Sequence, residues 1–213
     1  MYLPRHFEMS AVDAIALARQ VGVGHLVTAH SSRLESTLVP FVLDEFDGHL
    51  VVLAHIAAAN PQRHAIAAGA AGLFIVHGPD AYVSPSVYPS KVEHGRVVPT
   101  WNYAIVHLRG SLRLIDHPDR LLSQVTRLTD LHESRRDAPW SVDDPPSGFI
   151  DGQLKAIVGL EMHVDVIEGK AKLSQNRNEA DRSAVRAALL ARNDRDNEVG
   201  AMMPETEADP RPA

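Results

Sequence analysis

Positive charges and small polar side chains crowd into one short stretch of the chain, from Lys170 to Arg177. Lys172, Gln175 and Arg177 lie there between a predicted strand and the predicted start of a helix. Cations and hydrogen-bond donors beside a helix N-terminus are suited to binding a phosphate group. The same composition is also that of an ordinary solvated turn, so the residues alone leave both interpretations open.

A second stretch, from Gly78 to Tyr103, combines prolines with aromatic rings and hydroxyls. Its prolines predict a stiff and extended loop, a kind of segment that often carries function. One interpretation is a platform for a flat ligand, with rings as faces, polar groups at the edges and a lysine for an acidic group. The residues of this platform are Tyr88, Trp101, Asn102, Ser84 and Lys91. The alternative is that the rings close one end of a barrel or fill a dimer interface.

A third place suited to a phosphate follows a nearly continuous apolar strand predicted over 48–56. His55 lies near the end of this strand, and Asn60-Pro61 begins a short helix directly after it. The start of that helix offers backbone N–H groups to an anion.

Residue types and spacing exclude or disfavour several other chemistries. The chain has no cysteine, which excludes disulfides, thiolate metal sites and cysteine nucleophiles. Its 12 histidines are scattered, with no H-x-x-x-H or H-E-x-x-H spacing, so we predict no metal site. A G-x-S-x-G motif is absent from the sequence, and we predict no catalytic nucleophile.

The charge balance and the apolar pattern bear on partners and location. The net charge of −6 gives no sign of the basic surface that nucleic-acid binding usually requires. The sequence has no signal-peptide order at its start and no apolar run approaching the roughly 20 residues of a membrane helix. We therefore predict a soluble, cytoplasmic protein that does not bind membranes.

The elements that must position these residues are mostly strands. The stretch from Tyr103 to Ile115 alternates strictly, with apolar side chains on one face and polar ones on the other. Asp47-Gly48 predicts a hairpin, and Pro118 predicts the first position of an amphipathic helix. About six or seven strands against four or five helices favour an α+β fold, an antiparallel barrel with peripheral helices. We predict one domain over 1–192 and a disordered acidic tail over 193–213.

Several long and unusual motifs resemble those of the PaiB-type proteins, also called the FMN-binding negative transcriptional regulators. These motifs are Met1-Tyr2-Leu3-Pro4-Arg5-His6-Phe7, Ala59-Asn60-Pro61-Gln62, Tyr82-Val83-Ser84-Pro85-Ser86-Val87-Tyr88-Pro89-Ser90-Lys91, Val98-Pro99-Thr100-Trp101-Asn102-Tyr103, His132-Glu133 with Pro139-Trp140, and Lys172-Leu173-Ser174-Gln175-Asn176-Arg177. Together they span nearly the whole chain up to the helix that Asn178 is predicted to cap.

The resemblance implies a split-barrel fold like that of pyridoxamine-phosphate oxidase relatives. It also implies a homodimer with FMN at the subunit interface and a role as a repressor. The resemblance places the strand over 48–56 and its following turn at the position of the phosphate-binding loop of split-barrel flavoproteins. His55 and Asn60 stand there where Arg, Lys or Ser are frequent, and Lys172 or Arg177 would compensate across the dimer interface.

Three hypotheses for function follow from these observations. The first is an FMN-binding regulator without catalysis of its own. Since no helix-turn-helix is evident and the charge balance is acidic, either regulation is indirect or the family name goes beyond the chemistry of this chain. The second is a flavin-dependent oxidoreductase in which FMN carries the chemistry. The third is a structural dimer domain whose aromatic side chains fill the interface.

Overall fold

The structure, a computed structural model, describes residues 1–30, 32–146 and 148–205. The chain divides into two compact units. The barrel unit contains residues 12–76 and 106–167, and the terminal unit contains residues 1–11, 77–105 and the chain from 168 onward. These two units are not a test of the single domain predicted over 1–192, which stays a prediction.

The described residues form six strands that close into a barrel in the order β1-β2-β3-β6-β5-β4. The strands are β1 Val23–His30, β2 Arg33–Phe46, β3 His49–Ala57, β4 Ala71–Val83, β5 Thr100–Ile115 and β6 Ile157–Lys172. The pairs β1–β2, β1–β4, β2–β3 and β3–β6 are all antiparallel. This architecture confirms the predicted α+β split barrel.

The β2–β3 hairpin forms where Asp47-Gly48 predicts it. Both residues have positive φ, 50° and 76°, which suits the two-residue turn that pairs Phe46 with His49. Asp tolerates this conformation and Gly adopts it without a Cβ penalty, so the local sequence fixes the register of the two strands.

Pro40 lies inside β2, where we expected an edge or a bulge because proline has no N–H for the ladder. It is opposite Val23 at the end of the ladder with β1, and the ladder with β3 begins at the next residue, Phe41. The absent N–H therefore falls where β2 changes partner.

β5 has the predicted alternation, because its even-numbered residues from 102 to 112 are buried and Arg109 and Arg113 are exposed. Gly110 lies on the buried face. A Cβ at this position would collide with the backbone carbonyl oxygen of His163 in β6. The glycine is thus required for the close approach of the two backbones.

Helices surround the strands, and two of them begin as predicted. The helices are α1 Ala11–Val21, α2 Gln62–Ala67, α3 Ser90–His94, α4 Pro118–Glu133, α5 Phe149–Leu154, α6 Glu179–Leu190 and α7 Asp194–Met202. Pro118 is the first residue of α4, and the Asn178 side chain caps α6 by accepting a hydrogen bond from the backbone N–H of Asp181 at 2.8 Å.

Each unit has an apolar core of its own. In the barrel unit Leu26, Phe41 and Phe74 are fully buried, and the two phenylalanine rings meet edge to face with centroids 5.6 Å apart. In the terminal unit a buried cluster contains Ala81, Val83, Tyr88, Leu173, Val185, Leu189, Val199 and Met203. Burial of these side chains is the main stabilising contribution in each unit.

The stretch from 78 to 103 is less extended than expected. A 3-10 turn at Pro85–Val87 begins at Ser84, whose side chain accepts a hydrogen bond from the backbone N–H of Ser86. The short helix α3 follows Pro89, because the fixed φ of proline suits a helix start as well as an extended chain.

The apolar alternation of β6 ends at Val166 and Glu168-Gly169 is a pair that suits a turn, but the strand continues through both residues to Lys172. The N-terminal segment pairs with this extension through the backbone. The Met9 N–H donates to the carbonyl oxygen of Gly169, and Glu8 forms an isolated antiparallel β-bridge with Lys170. These backbone bonds stabilise the extended conformation.

The expected disordered tail differs from the structure over 193–202. Asn193 caps α7 by accepting a hydrogen bond from the Asp196 N–H at 3.0 Å, and Val199 is fully buried in the terminal core. A capping side chain and one buried contact stabilise a helix that its acidic and aperiodic sequence does not suggest. The end of the predicted tail, 206–213, lies outside the described residues.

Candidate functional site

Three cations of the terminal unit, which we call the basic turn, lie at the end of β6 and just after it: Lys170, Lys172 and Arg177. The Lys172 ammonium group donates to Thr100 Oγ1 and to the carbonyl oxygen of Trp101, both at 2.5 Å. Lys170 donates to the carbonyl oxygen of Tyr2 and lies over the Tyr103 ring.

The basic turn has an excess of positive charge. Among the residues that the structure describes, none of its three cations pairs with a carboxylate, and the acceptors of both lysines are neutral oxygens. Burial lowers the pKa of Lys172, and the nearby charges of Lys170 and Arg177 lower it further. An external anion would relieve this repulsion, so the donor set fits a phosphate group such as that of FMN.

Two exposed rings lie in the same unit as the basic turn. Trp101 is 52% exposed and Tyr82 is 46% exposed, and their rings meet edge to face with centroids 6.0 Å apart. The backbone carbonyl of Trp101 is the one that accepts from Lys172, so an aromatic surface and a cation are joined at one residue. Of the predicted ring faces, Trp101 is available to a planar ligand.

Tyr88 and Asn102 lie elsewhere than the predicted platform requires. Tyr88 is only 2% exposed, and the Arg177 guanidinium lies 4.9 Å from the centre of its ring. Burial is the largest effect on its pKa and raises it, while the charge of Arg177 opposes the rise. Asn102 is fully buried, and its Oδ1 accepts from Ser174 Oγ at 3.1 Å. Both side chains therefore serve the core rather than a surface.

The remaining predicted residues of the terminal unit have different roles. Gln175 is used locally, because its amide bonds the backbone of Leu173 at 2.7 Å and of Ala171 at 2.6 Å. The Ser84 hydroxyl is 2.8 Å from that of Ser86, and Lys91 is exposed on α3. The structure thus joins Trp101 and Lys172 by a hydrogen bond and places Arg177 near enough for its charge to act on Lys172.

His55 and Asn60 belong to the barrel unit. The Nδ1 atom of His55 is buried and without a hydrogen-bond partner among the described residues, and burial lowers the pKa of this histidine. The Asn60 amide is engaged on both sides, since it donates to Thr37 Oγ1 and accepts from the Gln62 N–H, each at 2.9 Å. The side chain of Asn60 therefore shapes the turn, and His55 is neutral near pH 7.

Sequence reasoning missed Gln62, the residue that fixes this turn to the barrel. Gln62 is 1% exposed, and its amide nitrogen donates to Leu26 O and Thr28 Oγ1 at 3.1 Å and to Glu35 O at 3.2 Å. A glutamine at the first turn of a short helix looks like a solvated residue, and only the position of β1 and β2 reveals its partners.

The described residues offer neither a cluster of metal ligands nor a helix that could span a membrane. Within 1–30, 32–146 and 148–205, no group of three or more histidine, aspartate or glutamate residues is arranged to hold a metal ion. The helices found in these same ranges are too short or too polar to cross a membrane.

Comparison with known proteins gives a family and a fold. The family described as "Putative FMN-binding domain" matches residues 1–166. The Protease synthase and sporulation protein PAI 2 of Bacillus subtilis is 32% identical over 182 residues, which cover 85% of each protein.

Two solved structures are similar in fold, at sequence identities too low to show more. The FAD and heme binding protein of Mycobacterium smegmatis has a TM-score of 0.58 at 16% identity, over 82% of this chain and 77% of that one. A flavocytochrome of Azotobacter vinelandii has a TM-score of 0.55 at 14% identity, over 99% of this chain and 89% of that one. The match over 1–166 and the similarity to PAI 2 show that this chain belongs to the PaiB-type family of FMN-binding domains, with FMN as its cofactor.

Proposed function

We propose that this chain is a cytoplasmic, homodimeric flavoprotein that acts as a negative transcriptional regulator and has no catalytic activity of its own. FMN serves it as a bound ligand, and the flavin lies at the subunit interface. The observation that carries the proposal is the basic turn, whose three cations have no carboxylate partner among the described residues and lie beside exposed aromatic surface.

In this proposal Lys172 and Arg177 bind the phosphate and Trp101 covers a face of the ring system. Ser84, Lys91 and Gln175 are further ligand candidates in the terminal unit. Tyr88 and Asn102 act by positioning, because they hold the chain on either side of the basic turn against the terminal core. FMN, when bound, supplies redox chemistry that no side chain of this composition offers.

The purified full-length protein tests the cofactor role directly. We expect a yellow protein with a flavin absorbance spectrum and with FMN released on denaturation. A protein that is purified without flavin should quench FMN fluorescence saturably on titration. A colourless protein that leaves FMN fluorescence unchanged contradicts the proposal.

Trp101→Ala separates a ligand role from an interface role, and Trp140→Ala is its matched control. Trp140 is also about half exposed, at 44%, but lies in the barrel unit. We expect Trp101→Ala to weaken FMN binding while light scattering still gives a dimer, and Trp140→Ala to change neither. Loss of the dimer in Trp101→Ala would instead support the purely structural hypothesis.

The regulatory role predicts binding to operator DNA that weakens steeply as salt increases. The net charge of −6 argues for a local contact surface or for an additional partner rather than for strong general affinity. Absence of any gel shift at low salt, with and without FMN, removes direct DNA binding.

A flavin-dependent oxidoreductase is the alternative function on this fold. It is suggested by two proteins of similar fold, one named for FAD and heme binding and the other a flavocytochrome. Anaerobic reduction of the bound flavin by NADH or NADPH, followed through its absorbance, would favour this alternative over a regulator without catalysis.

A further inference from the structure

The barrel unit contains a cavity that the flavin proposal does not use. Its volume is about 550 Å³, and residues of α4, β3, β5, β6 and the β2–β3 turn line it. We call it the arginine cavity, after Arg113, Arg120 and Arg127 in its wall. Its volume falls within the range of roughly 300–1,000 Å³ that is usual for small-molecule sites.

A buried carboxylate organises two of these arginines. Glu161 is 5% exposed, and it accepts hydrogen bonds from Arg113 through Oε1 and from Arg120 through Oε2, the latter at 2.9 Å. His163 Nε2 lies 2.8 Å from the same Oε1 atom. Three side chains from β5, α4 and β6 are therefore held in fixed positions around one acid.

This group retains positive charge and unused donors. Two guanidinium groups share one carboxylate, and each presents a single nitrogen to it, although a guanidinium has five N–H donors. The side chains of Arg113 and Arg120 are 56% and 58% exposed, so their other donors remain accessible. Asp47 and Asp119 also line the cavity, but both are exposed, Asp119 with 91% of its side chain, so water screens their charges.

Beside the charged residues, the cavity has an apolar wall. Val51, Leu53 and Ile115 form a small buried cluster there, and Val51 and Leu53 pair directly with His163 and Glu161 across the β3–β6 ladder. Alternation in the strands places these apolar and charged residues on the same face of the sheet. The charged group and the apolar wall are consequently neighbours by register.

An aromatic residue lies at the mouth of the cavity. Phe46 is 47% exposed, and the Arg127 guanidinium, which pairs with Asp44, lies 5.5 Å from the centre of its ring. An exposed ring backed by a cation is suited to contact with a ligand that has both an apolar body and a negative charge.

We propose that the arginine cavity binds a small organic anion, with a carboxylate or phosphate group on an apolar body, at a site separate from the flavin. Arg113 and Arg120 bind the oxyanion with the donors that Glu161 leaves free. The wall of Val51, Leu53 and Ile115 contacts the apolar body, and Phe46 closes over it.

The first test uses the full-length protein as purified, with its flavin, and the probes phenyl phosphate, benzoate and neutral benzamide. Titration calorimetry should show saturable binding of at least one anion and none of benzamide at the same concentrations. The stronger of the two anions identifies the head group. Equal binding of benzamide, or binding of neither anion, overturns the proposal.

Variants locate the binding. Arg120→Gln should weaken the preferred anion at least tenfold, and it leaves Arg113 to compensate Glu161 in the folded state. Phe46→Ala, which touches no buried charge, should weaken it severalfold. Arg136→Gln is the control, because Arg136 is an exposed arginine of the same unit that pairs with Glu133. Unchanged affinity in Arg120→Gln and Phe46→Ala would contradict the assignment.

A flavin titration of the same variants distinguishes this site from the flavin site. Arg120→Gln should bind FMN as the unchanged protein does, and excess phenyl phosphate or benzoate should not displace FMN. Joint loss of FMN and of the probe would mean that the cavity is part of the flavin site, which overturns the inference. Absence of FMN binding in every variant, with the probe still bound, would contradict only the flavin proposal.

Discussion

The basic turn and the arginine cavity both gather positive charge, but they compensate it differently. In the cavity a buried carboxylate, Glu161, holds Arg113 and Arg120 by charge-assisted hydrogen bonds. In the basic turn Lys172 is held by neutral oxygens, and its pKa is lowered by burial and then by its neighbouring cations. The first arrangement is stabilised by the protein itself, whereas the second gains most from an anion that comes from outside.

The largest expected effect is on stability and concerns the arginine cavity, where a carboxylate of the protein compensates the positive charge. Glu161→Gln removes the carboxylate that pairs with Arg113 and Arg120, and we expect the free energy of unfolding to fall by about 3 kcal/mol. Urea denaturation measures the change, with the exposed Glu93→Gln as control. Adding Arg120→Gln to Glu161→Gln should recover part of the loss. A change below about 0.5 kcal/mol in Glu161→Gln would show that the arginines need no buried acid.

A second expectation concerns Asn102, which the sequence suggests as a ligand contact and the structure places in the core. Asn102→Ala removes the acceptor of the Ser174 hydroxyl and leaves a small void, so stability should fall by about 2 kcal/mol. The exposed Asn176→Ala should leave it unchanged. Thermal unfolding measures both. If Asn102→Ala lost FMN affinity while its stability was unchanged, Asn102 would be a ligand contact rather than a core residue.

In the basic turn, Lys172→Met should weaken FMN binding about tenfold or more, because a charge-assisted hydrogen bond to the phosphate is lost. Stability without FMN should stay the same or rise slightly, because the repulsion from Lys170 and Arg177 is relieved. Fluorescence titration gives the affinity, and the exposed Lys155→Met is the matched control. Equal affinities in the two variants would place the phosphate elsewhere.

The smallest effect is a dependence on pH. The pKa of Lys172 in the folded protein is lowered, by burial first and then by the charges of Lys170 and Arg177. Between this lowered pKa and the usual value near 10.5, the unfolded chain binds more protons than the folded one, so stability rises with pH. The unchanged protein should therefore gain stability relative to Lys172→Met across that window, and its FMN affinity should fall there.

That dependence is checked by denaturation and by FMN titration at several alkaline pH values in parallel for both proteins. The difference between them isolates Lys172 from the other groups that titrate in the same range. A constant difference across the window would mean that Lys172 has an ordinary pKa.

Local patterns in the sequence were enough to predict much of the fold. The alternation of β5, the Asp47-Gly48 turn and the start of α4 at Pro118 all depend on neighbouring residues and are confirmed. The longer β6 was missed because its extension depends on pairing with the N-terminal segment. Pairing between distant segments leaves no local signal.

The candidate sites were predicted less completely, for the same reason. The sequence shows that Lys172 and Arg177 are clustered cations, but not that Tyr88 and Asn102 lie in the core. The arginine cavity could have been suspected from Glu161 and His163, which lie on the face of β6 opposite its regular apolar positions, and from Arg120, Ser123 and Arg127 on α4. Which of these meet is set by the β3–β6 register, which the sequence does not state.

That register also has a consequence for biosynthesis. β3 pairs with β2 through a two-residue turn, but its other neighbour, β6, follows only after α4 and α5. During translation the edge of β3 that pairs with β6 therefore stays unpaired while β4 and β5 emerge from the ribosome. Closure of the barrel by such a distant segment makes folding slow. It also leaves an unpaired, aggregation-prone strand edge exposed in the nascent chain. We therefore expect a chain truncated before β6 to aggregate through this edge.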